Sequence, residues 1–213
     1  MADKNDLLIH YPPEMQPGFY LKIQASSTTG IITIDYFTAG IVIDDEARLL
    51  SWIEEYTSAQ QTVPTIVLPE WQDDYQVHVA YGNLENILPK CNLVIETPSA
   101  SAYPKVVGTH HSGHIEIKGS AIADYHEDFT GLLEAWIGDK PQVTIDFTID
   151  DDIHEYAMAF VQFIQRLVGK GHSASFVKWY ASNEEDDYHE NMYEAGLGLK
   201  ERLGDVFEVI EIK

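Results

Sequence analysis

The chain has 213 residues, 35 acidic and 13 basic, for a formal net charge of −22. A surface of that sign repels phosphate backbones and anionic lipids, which argues against nucleic acid or a membrane surface as partner and favours a protein with a basic patch. A single cysteine, Cys91, rules out an internal disulfide. The absence of a signal-type apolar run near Met1, and of any stretch long enough to cross a bilayer, predicts a cytoplasmic protein.

In chain order, residues 11–18 are rich in proline and glycine and read as an irregular lead-in. Residues 19–24 and 31–36 alternate apolar with polar and predict two strands joined by a long turn ending at Gly30. Asp44, Asp45 and Glu46 place negative charge at a helix start, where it complements the dipole, and Leu49, Trp52, Ile53 and Tyr56 supply that helix's apolar face. Residues 65–68, 76–81 and 93–96 read as strands, with Cys91 as a small buried residue before the last. Residues 97–104, all small residues and prolines but for Tyr103, mark a domain boundary, giving units at 1–100 and 105–213.

The second unit opens with a hairpin, 105–107 and 114–118, followed by a helix over 124–137. Val143, Ile145 and Phe147 then alternate as a half-buried strand, Asp150, Asp151 and Asp152 follow in a row, and Ile153, Ala157, Phe160, Val161, Ile164 and Val168 recur at helical spacing. Gly169 and Gly171 stop that helix and residues 173–180 return as a strand, so the unit is βαβ with parallel strands. A last helix (Tyr188, Met192, Ala195, Leu199, Leu203) and a strand at 206–212 close the chain.

The two units read as diverged copies. Gly30-Ile31-Ile32-Thr33-Ile34 stands beside Gly113-His114-Ile115-Glu116-Ile117, each leading to a tryptophan-bearing helix (Trp52, Trp136) and then a threonine-isoleucine strand (Thr65-Ile66, Thr144-Ile145). The first copy has no sequence counterpart of the long helix after Asp152.

Specific residues then carry a resemblance. Ile115-Glu116-Ile117-Lys118-Gly119-Ser120, Phe129 through Trp136-Ile137, Lys178-Trp179-Tyr180, Asp186-Asp187, Met192-Tyr193-Glu194-Ala195-Gly196 and Val206-Phe207-Glu208-Val209-Ile210 together resemble the SiaC family of bacterial regulatory phosphoproteins. The resemblance covers 106–213, and its most telling part is the tryptophan strand with its acidic loop and glutamate-alanine-glycine helix. It implies an α/β (α+β) fold of STAS-like (SpoIIAA-like) type, a mixed sheet with helices largely on one face. It also implies no enzymatic activity and no cofactor. In the family, the unphosphorylated module activates a diguanylate cyclase, and a kinase and a phosphatase cycle it through a hydroxyl in the turn before the long helix. Here that turn reads Ile149-Asp150-Asp151-Asp152-Ile153, with Thr148 at the strand end.

The charged clusters carry competing readings. Capping explains one or two of Asp150, Asp151 and Asp152; the row also imitates a phosphorylated turn in charge. Glu184, Glu185, Asp186 and Asp187 follow the tryptophan strand, and parallel strands would bring both acidic segments to one end of the sheet as a partner-binding face. The alternative is a metal-dependent hydrolase built on these acids with His189. His110, His111 and His114 form a triplet that could grip zinc or nickel, although a solvated hairpin turn accounts for it as well. No nucleophile elbow, Walker loop or dinucleotide fingerprint is present. Homo-oligomerisation stays open.

Overall fold

Alternating apolar residues and tight turns set the architecture in a computed structural model, which describes residues 6–11, 20–37, 43–68, 84–95, 105–119, 127–149, 157–172, 176–182 and 192–212. The chain folds as two compact units, residues 1–96 and 97–213, each an α/β arrangement around a mixed sheet. The strand expected at 76–81 lies outside the described residues.

In unit 1, β1 (Leu7–Tyr11), β2 (Tyr20–Ala25) and β3 (Ile31–Phe37) form an antiparallel meander. The chain then crosses through α1 (Ile43–Gln60) to β4 (Thr65–Leu68), parallel to β3, and reaches β5 (Asn92–Ile95), parallel to β4, after a 3-10 turn at Leu88–Lys90. Ile23, Ile32, Ile34, Ile66, Leu68, Leu93 and Ile95 from the strands and Leu49, Trp52 and Ile53 from α1 are buried as the core, and Cys91 is buried with them. The sequence expectation has no strand at β1. Leu7-Leu8-Ile9 is an unbroken apolar run, whereas the strand buries Ile9 and leaves Leu8 56% exposed.

In unit 2, β6 (Lys105–Thr109) pairs antiparallel with β7 (His114–Gly119), and β8 (Thr144–Ile149), β9 (Val177–Ser182) and β10 (Phe207–Ile212) extend the sheet in parallel. The parallel steps run through α2 (Glu127–Ile137), α3 (Ala157–Gly169) and α4 (Met192–Leu203). Helix α2 packs on α3, α3 on α4, and α4 against β9 and β10, so the helices line one face. That face is buried through Ile115, Ile117, Ile145, Phe147, Val177, Trp179 and Phe207. Phe147, Trp179 and Phe207 form an aromatic row across three parallel strands, with successive ring centroids 6.0 Å apart. The alternating partners His114, Glu116, Asp146, Thr148, Lys178 and Tyr180 occupy the other face and are half-buried.

A left-handed glycine leads into the parallel part of the sheet in each unit and makes the same contact there. Gly30 (φ +68°) accepts the Thr65 N–H at 2.8 Å, and Gly113 (φ +62°) accepts the Thr144 N–H at 3.1 Å. A side chain at either position would be strained by the left-handed backbone and would also collide, with the Tyr56 hydroxyl at Gly30 and with the Gln142 carbonyl at Gly113.

Candidate functional site

The carboxyl ends of β8 and β9 lie side by side: Phe147 pairs with Trp179 and Thr148 with Tyr180, in parallel register. The segments that begin at Asp150 and after Ser182 therefore leave neighbouring strands at one end of the unit 2 sheet. Asp150, Asp151, Asp152, Glu184, Glu185, Asp186, Asp187 and His189 lie outside the described residues. Thr148 lies within them. It sits inside β8, paired with Lys118 on β7 and Tyr180 on β9, and its side chain is half-buried.

The support beneath this strand end is the glutamate-alanine-glycine helix. Gly196 of α4 lies directly on the Trp179 indole: a Cβ there would stand 2.8 Å from Cδ1 and 3.0 Å from Nε1. A side chain at this position would hold α4 away from β9. On the polar face, His114 Nε2 stands 3.0 Å from Asp146 Oδ2 and Lys118 Nζ 2.6 Å from Glu116 Oε1.

The histidine triplet is divided by these contacts. His114 turns to Asp146, while the His110 and His111 rings meet edge to face at 5.3 Å. Among the described residues, no group of three or more His, Cys, Asp or Glu side chains is placed to hold a metal ion.

Half of this chain is similar to SiaC. The crystal structure of diguanylate cyclase SiaD in complex with its activator SiaC from Pseudomonas aeruginosa matches at a TM-score of 0.40 and 14% identity, over 53% of this chain and 95% of the matched one. Apo-SiaC from Pseudomonas aeruginosa matches at 0.39 and 14%, over 55% and 97%. No family model matches the chain, and no curated protein does. Among the described residues, no helix is long and apolar enough to cross a membrane.

One concave feature of unit 2 was not singled out in the sequence. The turns that end α2 and α3 line a cavity of about 460 Å³ formed by Gly138, Asp139, Lys140, Pro141, Lys170, Gly171 and His172. Helix α3 ends in a Schellman motif: Gly171 (φ +96°) donates its N–H to Val168 O at 2.9 Å and His172 to Leu167 O at 3.2 Å. Lys140 caps α2, donating to the carbonyls of Trp136 and Ile137, with its ammonium 4.3 Å from the Trp136 ring centroid. Glu134 of α2 holds both Arg166 and Lys170, the latter at 3.0 Å. Paired glycine-marked helix ends, each followed by a strand, were the only sequence trace of this cavity.

Proposed function

We propose that the protein is a non-catalytic regulator of the SiaC type that binds a signalling protein, foremost a diguanylate cyclase and otherwise its kinase or phosphatase. The Trp179–Gly196 contact carries this reading, because it joins the two most telling segments of the residue resemblance in one buried junction of unit 2. Binding runs through Asp150, Asp151, Asp152 and Glu184, Glu185, Asp186, Asp187. The adjacent ends of β8 and β9 support a shared acidic face, which would speed encounter with a basic patch.

The test uses the purified full chain and a diguanylate cyclase from the same genome. Cyclic di-GMP synthesis should rise on addition of the protein, and association should slow as salt increases. Asp151→Asn with Asp186→Asn should reduce the association rate about tenfold at low salt and flatten the salt dependence. Unchanged cyclase output with every such enzyme would remove the regulatory reading. Phosphoester hydrolysis that requires added Mn²⁺ and disappears in the double variant would favour the hydrolase instead.

Unit 1 fits this scheme as a diverged copy that keeps the scaffold. Support comes from the matched turns at Gly30 and Gly113 and the tryptophan-bearing helices that follow them. A crystal structure with Trp52 and Trp136 in unrelated positions over their own sheets would end the idea of duplication.

A further inference from the structure

We infer that the cavity between the ends of α2 and α3 in unit 2 is a binding site for a small soluble phosphate-type oxyanion, distinct from the acidic end of the same sheet. It opens beside the turns that lead into β8 and β9, whereas the acidic segments follow those strands.

Two observations converge. The first is His172, which is only 7% exposed although it lines the cavity, and whose Nδ1 is buried with no hydrogen-bond partner among the described residues. The position calls for an apolar residue, because the residue that follows the glycine of a Schellman motif commonly makes a hydrophobic contact back onto the helix. An imidazole here leaves a polar atom unsatisfied, a cost that a ligand or ordered water removes. The second is the local charge. Acids outnumber bases 35 to 13 along the chain, yet this wall carries Lys140 and Lys170 against the single acid Asp139. Lysine ammonium groups donate and never accept, so both lysines bring donors to this wall.

A tetrahedral oxyanion offers acceptors in several directions, which suits donors arriving from two separate turns better than a planar carboxylate does. Opposing terms keep affinity low: the C-terminal ends of two helices are negative, Asp139 is present, Lys140 already donates to the Trp136 and Ile137 carbonyls, and Glu134 already shares Lys170. Directional donors rather than net charge hold the ligand, so affinity should be on the order of millimolar for inorganic phosphate alone. The volume leaves room for a larger organic phosphate.

The test is an NMR titration of the full chain with sodium phosphate against sodium chloride at matched ionic strength. The His172 ring and the amides of Gly138, Lys140 and Gly171 should shift and saturate with phosphate and stay fixed in chloride. Lys170→Gln, at a half-exposed position, should weaken binding about tenfold while the melting temperature holds; His172→Asn should do the same if it folds. Phosphate shifts no larger than those of chloride, or Lys170→Gln binding as wild type, would overturn the site and leave His172 to an ordered water. Neither result bears on cyclase binding.

Discussion

Trp179 and Gly196 are fitted to one another: the indole occupies the space a side chain at 196 would need, with only 2.8 Å from its Cδ1 to a Cβ built there. Trp179 is 1% exposed and lies between Phe147 and Phe207, so it has nowhere to retreat. Gly196→Ala should therefore destabilise the protein by about 1–3 kcal/mol, as overpacking of a tight core does. Trp179→Phe, which shortens the ring that is struck, should cost less in the Gly196→Ala background than alone. A double-mutant cycle from urea melts checks the coupling; additive effects would mean that the helix shifts freely.

The matched turns at Gly30 and Gly113 should not tolerate alanine equally. Both substitutions pay the left-handed backbone strain, about 1–2 kcal/mol. Beyond that, Gly30→Ala must displace the far end of Tyr56, a side chain that can swing, while Gly113→Ala must move the Gln142 backbone just before β8. Gly113→Ala should be the more damaging by more than about 1 kcal/mol, read from chemical denaturation.

His172 should make stability fall with acid. Burial, and then the charge of Lys170, hold its imidazole below the ordinary value of about 6.5. The folded state therefore takes up the proton less readily than the unfolded chain. Its contribution is fully present above about pH 6.5 and is lost as pH falls below that toward the folded value. Lys140, Lys170 and Asp139 line the same cavity. The urea midpoint of wild type should drop between pH 7.5 and pH 5.5 by more than that of His172→Leu. Parallel pH curves would remove His172 from the account.

Thr148 should not be a phosphorylation site. Its backbone is paired on both sides in the middle of the sheet, and its side chain is half-buried beside Lys118 and Tyr180. A kinase would have to unpair β8 to reach it. The neighbouring aspartates offer charge without a hydroxyl, one charge each where phosphate brings up to two. Phosphopeptide mapping from cells should find residue 148 unmodified, and Thr148→Ala should leave cyclase activation within twofold of wild type.

How much of this was legible depends on the range of the interactions. Strands β7 and β8 and helix α3 announce themselves because Ile115, Ile117, Ile145, Phe147, Val161 and Ile164 repeat at the period of their element. Strand β1 did not, since an apolar run has no period and Leu8 faces outward on an edge. The parallel order of β8 and β9 was legible from the βαβ pattern, while the acidic residues that follow them lie outside the described residues. The cavity was not, because Lys140 and His172 belong to turns 32 residues apart in sequence, each with an ordinary helix-ending pattern. The Trp179–Gly196 fit is equally silent, as nothing near glycine 196 names the ring that demands it.

Cys91 has a practical consequence. It is the chain's single thiol, it is fully buried, and it belongs to unit 1. Alkylation of the native protein can proceed only when that unit opens, so the labelling rate is a clock for unit 1 by itself. With Trp52 and Trp71 of unit 1 replaced by phenylalanine, the near-ultraviolet tryptophan signal comes from the buried Trp136 and Trp179 of unit 2. Followed together in mild denaturant, the two signals determine whether the halves melt as one cooperative body or in turn.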